Sequence, residues 1–148
     1  MNIYIYVNPA VNIVNIYGGI EDRMDEEEIV GNWERLKRDL KDIESRNEST
    51  ILIGDLNRAI GADQLGVKGN KPKISKGGKL VRELLEEGEY VLLNNSVKAV
   101  GGPWAWVCRS DGNVRSCLDL VIVSADLKPF LESLTIYTKF EFGPARVR

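Results

Sequence analysis

Between Asp25 and Arg46 the apolar residues Ile29, Trp33, Leu36, Leu40 and Ile43 recur at the spacing that lines one face of an α-helix. Asp25, Glu26, Glu27 and Glu28 crowd the first turn, where the helix dipole favours negative charge. Gly31 costs this helix about 1 kcal/mol relative to alanine. On either side of it the periodicity changes. Ile3 to Val7 and Val11 to Tyr17 are rich in β-branched and aromatic residues around Asn8-Pro9, which predicts a β-hairpin. Thr50 to Ile53 is a short apolar run that stops at Gly54-Asp55, which predicts a buried strand ending in a loop. Arg58 to Lys73 reads as a long polar connection, a length often tied to function. A second helix is predicted over Ser75 to Glu87, with Leu80, Val81, Leu84 and Leu85 inward and Gly88 as its C-terminal cap. The remainder is strand-like: Glu89 to Leu93, Trp104 to Arg109, Cys117 to Ser124 and Leu134 to Tyr137, with Ser110-Asp111-Gly112-Asn113 as a hairpin turn. Strands interleaved with two helices predict the α/β class, as a sandwich.

Composition limits the chemistry. The chain has 148 residues, enough for one domain over 1–148. No apolar run approaches the ~18 residues of a membrane span. The N-terminus alternates like a strand and has no basic segment of a secretion signal, so an intracellular chain is expected, with no membrane partner. There is no histidine. That excludes a histidine-dependent catalytic triad and the usual zinc sites within this chain. Catalysis would have to run on carboxylates, amides, tyrosine and lysine with a hard metal ion. Cys108 and Cys117 form no Cys-x-x-Cys motif and read as free thiols. The net charge of -2 and a pI near 5.3 argue mildly against nucleic acid. However, Lys68, Lys71, Lys73, Lys76, Lys79 and Arg82 fall in one stretch without an acid, and phosphate contacts need only local positive charge. The plainer reading of that stretch is a solvated loop.

Three segments could carry chemistry. In Ile51-Leu52-Ile53-Gly54-Asp55-Leu56-Asn57 a buried strand delivers an acid and an amide to its end. Asp55 could take a proton from an attacking water or bind a metal, and Asn57 could donate to a phosphate oxygen. Alone, the segment reads more simply as an Asx-type turn. In Ser116 to Val123, a period of two puts Asp119 on the face of Cys117, Val121 and Val123, opposite Leu118, Leu120 and Ile122. Asp119 is either a strand-start residue capping a turn or an orienting carboxylate. In Gly101-Gly102-Pro103-Trp104-Ala105-Trp106 the indoles serve packing, or one of them, Trp106, lines a groove or stacks on a base.

Taken in order, these segments resemble the endonuclease/exonuclease/phosphatase superfamily, and within it the apurinic-type endonuclease domains of non-LTR retrotransposons. The order is Asn15-Ile16-Tyr17, an acidic helix, Gly54-Asp55-Leu56-Asn57, a helix, Gly-Gly-Pro-Trp-x-Trp, then Ser-Cys-Leu-Asp-Leu-Val-Ile, covering Ile3 to about Arg148. The resemblance implies metal-assisted phosphodiester hydrolysis with Mg2+ or Mn2+ and DNA as partner, in a cell compartment that reaches nuclear DNA. It implies that Asp55 positions or deprotonates the water, that Asn57 binds the scissile phosphate, that Asp119 orients a catalytic histidine, and that Tyr17 contacts phosphate. Lys68, Lys71, Lys73, Lys76 and Trp106 would contact the nucleic acid.

The same resemblance implies a metal-binding glutamate upstream and a Ser-Asp-His motif downstream, and neither occurs here. The expectation is therefore a partial four-layer α/β sandwich, two packed mixed sheets flanked by helices, missing N-terminal and C-terminal strands. Its metal site would be incomplete, its activity impaired or lost, and its exposed sheet edges prone to self-association. Two alternatives stand beside it: a catalytically dead fragment, and a phosphatase or phospholipase of the same superfamily.

Overall fold

The computed structural model describes residues 10–20, 23–61, 74–94, 99–101, 106–107, 115–116, 119–132 and 134–136. The predicted strand Ile3 to Val7, the turn Ser110 to Asn113, both cysteines and most of the connection 58–73 lie outside the described residues.

Both helices form where the apolar periodicity predicts them, and each begins at a side-chain cap. Helix α1 (Glu26–Ser45) starts at Asp25, whose carboxylate accepts from the Glu28 backbone N–H at 2.8 Å. It buries Ile29, Trp33, Leu40 and Ile43. Helix α2 (Lys76–Glu86) starts at Ser75, whose Oγ accepts from the Gly78 N–H at 3.1 Å. It ends at Gly88, which takes φ +84 as a C-terminal cap glycine does.

Strands β1 (Val11–Asn15), β2 (Ser49–Asp55), β3 (Tyr90–Leu92) and β7 (Asp119–Ser124) make one sheet in the order β1-β2-β7-β3. β1 runs parallel to β2, as a strand pair joined by a helical crossover must. β7 returns from the far end of the chain and inserts antiparallel between β2 and β3. The short strands β4 (Ala99–Gly101) and β8 (Leu134–Ile136) pair with each other, as do β5 (Trp106–Val107) and β6 (Arg115–Ser116). A 3-10 helix, Ala125–Phe130, follows β7. The α/β class therefore holds, as a mixed four-stranded sheet with helices.

Alternation assigns the two faces of the sheet. Leu52, Leu120, Ile122 and Tyr90 turn one way and pack with Trp33 and Leu40 of α1 and with Val81, Leu84 and Leu85 of α2. Ile51, Val123 and Leu93 turn the other way, with Val11, Val91 and Val121 and the residues Leu127 and Leu131 beside them. Burying each large side chain of this kind contributes about 1.5–3 kcal/mol. The division on β7 is the one the sequence period predicts, with Asp119 on the face of Val121 and Val123. The two helices lie on the same face, braced by Glu26–Lys76 at 2.6 Å between their first turns and Lys37–Glu87 at 3.4 Å further along. Among the described residues, no helix is long and apolar enough to cross a membrane.

Candidate functional site

The buried strand β2 ends in a conformation that only glycine adopts without strain. Gly54 has φ +145, and a Cβ there would stand 2.0 Å from the Ile16 carbonyl oxygen. This close approach carries β1 and β2 side by side beyond the end of β1: Ile16 N–H donates to Ile53 O at 2.9 Å and Gly18 N–H to Asp55 O at 2.8 Å. Asp55 then emerges at the strand end. Its Oδ1 accepts from the Asn57 N–H at 2.9 Å, so the Asx-type turn is present. Asn57 takes φ +49, a left-handed conformation that asparagine tolerates better than most residues.

Across the sheet, Asp55 is paired in register with Asp119. Directly opposite residues of an antiparallel pair share a face and stand about 4.5–5.5 Å apart at Cα, and like charges there repel. The Asp119 carboxyl is accordingly held above the usual range, first by burial and then by the charge of Asp55. Asp119 itself is an exposed residue at the strand start, so water screens part of this repulsion. The start of β7 is pinned by Asn94, whose amide spans two of its backbone groups: Nδ2 donates to Asp119 O at 3.0 Å and Oδ1 accepts from Val121 N–H at 2.9 Å.

The third side of the site is the loop after β1. The β1–β2 register, continued by two residues, brings Tyr17 level with Asp55. Tyr17 is 75% exposed. Behind it, Asn57 Nδ2 donates to Gly18 O at 2.6 Å and Arg58 Nη1 donates to Gly19 O at 2.7 Å. One hydrogen of the Asn57 amide is thus committed to the fold, which orients the second. Tyr17, the Asp55-Leu56-Asn57 segment and Asp119, three stretches far apart in sequence, stand at one end of the sheet.

The expected nucleic-acid contacts are placed less directly. Lys68, Lys71 and Lys73 lie outside the described residues, and Trp106 is described only as backbone of β5. Lys76 belongs to the first turn of α2 and is paired with Glu26, whose carboxyl that hydrogen bond and charge hold below the usual range. Arg58 and Ile60 are buried, so the connection that reads as polar begins as part of the core. Sequence reasoning missed Arg58, Asn94 and Gly18. Only the doubled Gly18-Gly19 carried a local signal, of close backbone approach.

Among the described residues, no group of three or more His, Cys, Asp or Glu is placed to hold a metal. Two carboxylates that repel each other nevertheless form a donor set that a divalent cation would relieve. Mg2+ and Mn2+ commonly take one or two protein carboxylates and complete their shell with water and phosphate oxygens. No protein-family model matches the sequence, and no characterised protein matches it either.

Proposed function

We propose that this chain carries the half-site of a divalent-metal-dependent phosphodiesterase, of the retroelement endonuclease kind, acting on DNA. The observation that carries the reading is the in-register opposition of Asp55 and Asp119 at the end of the sheet where Asn57 and Tyr17 also stand. Asp55 is the proton acceptor for the attacking water. Among the described residues no donor meets its Oδ2, while Oδ1 is held by Asn57 N–H. The second amide hydrogen of Asn57 and the exposed hydroxyl of Tyr17 are donors for phosphate oxygens. Asp119 would contribute negative charge that, with Asp55, could hold the cation. A bound Mg2+ or Mn2+ would neutralise phosphate charge and stabilise the leaving oxygen.

In this reading the four-stranded sheet is one half of a two-sheet sandwich. Supporting it is the apolar character of the face turned away from the helices, where Ile13, Val91 and Val121 retain exposure. Exposed edges would then favour self-association, which sedimentation velocity measures.

A second reading has a specific observation in its favour. The sequence contains no histidine, so the imidazole that the resemblance implies beside Asp119 cannot come from this chain. The chain would then keep the fold without the reaction. A phosphatase or phospholipase of the same architecture would be separated by a substrate panel. The deciding experiment is nicking of supercoiled plasmid in Mg2+ and Mn2+, with Asp55→Asn as control. Metal-dependent nicking lost in the variant supports the phosphodiesterase; equal, background nicking in both sinks it.

A further inference from the structure

Arg58 follows Asn57 directly, and among the described residues it is the charged side chain that the fold buries, at 8% exposure. A guanidinium does not shed its proton, so the charge itself is taken inside. The ion pairs of the described residues use Lys37, Arg46 and Lys76, and no carboxylate of those residues meets Arg58. Its partners are instead Gly19 O at 2.7 Å, Asn57 O at 3.3 Å and the Met24 sulfur at 3.8 Å. Burying a cation with no counter-charge among the described residues is costly, and an arginine in solvent would serve stability better. What the burial accomplishes is therefore read from what the guanidinium grips.

It grips the loop after β1. Asn57 holds the Gly18 carbonyl and Arg58 holds the next one, Gly19, so successive side chains take successive carbonyls. Together with the Gly18 N–H on Asp55 O, these bonds fix the segment that carries Tyr17 against the strand end that carries Asp55. The first turn of α2 is shaped to receive the arginine. A Cβ on Gly77 would lie 2.2 Å from Arg58 Nε and 2.3 Å from its Cδ, and one on Gly78 would lie 2.0 Å from Ala59 O. Two glycines weaken a helix start, yet here Gly77 makes room for the guanidinium and Gly78 for the Ala59 carbonyl.

We propose that Arg58, seated against Gly77, is a positioning residue that sets where Tyr17, Gly18 and Gly19 stand relative to Asp55 and Asn57. Its consequence for catalysis rests on the phosphodiesterase reading; the structural lock does not. The test uses the full chain with Arg58→Met, Arg58→Lys and Gly77→Ala, the last displacing the guanidinium without removing it. Amide hydrogen exchange should show protection at the Gly18 N–H falling about ten-fold or more in Arg58→Met and Gly77→Ala. Protection in the β2–β7 ladder should hold. Arg58→Lys should keep part of the Gly18 protection, because an ammonium reaches one carbonyl without the fork. Unchanged protection at Gly18, or a uniform fall across the sheet, overturns the proposal. Where the wild-type chain nicks plasmid, the two disrupting variants should lower kcat by about ten-fold or more with a smaller change in KM; a change confined to KM counts against positioning. A wild-type chain that does not nick overturns the phosphodiesterase reading and leaves the exchange result to decide on Arg58.

Discussion

Replacing Gly54 by alanine tests the junction between the fold and its site. The residue has φ +145, and a Cβ would meet Ile16 O at 2.0 Å and Asn15 Oδ1 at 2.9 Å. Holding a non-glycine residue in such a conformation costs about 1–3 kcal/mol. Because the collision is with backbone, the end of β1 must also retreat. That breaks the bonds Ile16 N–H to Ile53 O and Gly18 N–H to Asp55 O, each worth about 1 kcal/mol net. The sum is about 3–5 kcal/mol, a large share of the roughly 5–15 kcal/mol that holds a domain. With a urea slope of about 2 kcal/mol per molar, the unfolding midpoint should fall by about 2 M. Tryptophan fluorescence during a urea titration measures it, and the buried Trp33 reports on the core. Gly31→Ala is the control. A Cβ at Gly31 meets nothing within 4 Å, and no left-handed φ is required there. It should stabilise α1 by up to about 1 kcal/mol. A Gly54→Ala midpoint within about 0.5 M of wild type would refute the claim that this glycine is required by the β1–β2 approach.

Three further outcomes are expected. The folded-state carboxyl of Asp119 lies above its unfolded value, so folding binds a proton between the two and stability falls as pH rises through that window. Asp119→Asn should therefore be at least as stable as wild type at neutral pH, with the difference vanishing in acid, as thermal melts across pH would show; a destabilised variant at pH 7 contradicts the repulsion. Tyr90 donates to Glu44 Oε1 at 2.7 Å, and burial first, then Glu44, holds its hydroxyl above the ordinary value of 10.0. Tyr90→Phe should cost about 1–2 kcal/mol at neutral pH. The stability that Tyr90 contributes is present below pH 10.0 and lost as pH rises toward its raised folded value, so the variant should lose less in alkali. Ser75 Oγ accepts from both Gly78 N–H and Ala59 N–H, so Ser75→Ala should cost about 1–2 kcal/mol, read by urea titration.

What local rules govern was legible in advance. The 3.6-residue rhythm of Ile29, Trp33, Leu40 and Ile43 needs no tertiary knowledge, and Gly88 marks the end of the second helix. The faces of β7 followed from alternation alone, because one residue of slip would send Leu120 and Ile122 out of the core. Strand order was not legible. That β7 inserts between β2 and β3 depends on pairing across 64 or more residues to β2 and 30 or more to β3, and no local pattern encodes it. The opposition of the two aspartates is a consequence of that register. Arg58 escaped for the same reason: after a glycine- and asparagine-rich turn an arginine reads as solvated, and its burial depends on the empty space over Gly77 in another element. Lys76 read as one of a run of basic residues entering the predicted second helix, and its pairing with Glu26 follows only from the parallel packing of α1 and α2.

The two ends of the β2–β7 ladder solve the same problem differently. At the end where β2 begins, Ser49 Oγ donates to Asp126, Ser124 Oγ accepts from Thr50 N–H, and Ser124 Oγ in turn donates to Thr50 O at 3.1 Å, which leaves the buried Thr50 hydroxyl without a partner among the described residues. At the other end, two carboxylates face each other, Gly54 and Asn57 take positive φ, and a guanidinium is buried without a carboxylate among the described residues. A serine opposite Asp55 would close the ladder as Ser124 does beside Thr50, at less electrostatic cost. Positive φ recurs at Asn47 before β2, but among the described residues the facing carboxylates and the buried guanidinium occur together only at this end, and such a gathering is better explained by a task than by stability. On the phosphodiesterase reading proposed above, that task would be the one a pair of repelling carboxylates suits: capture of a cation, or of a substrate that brings one.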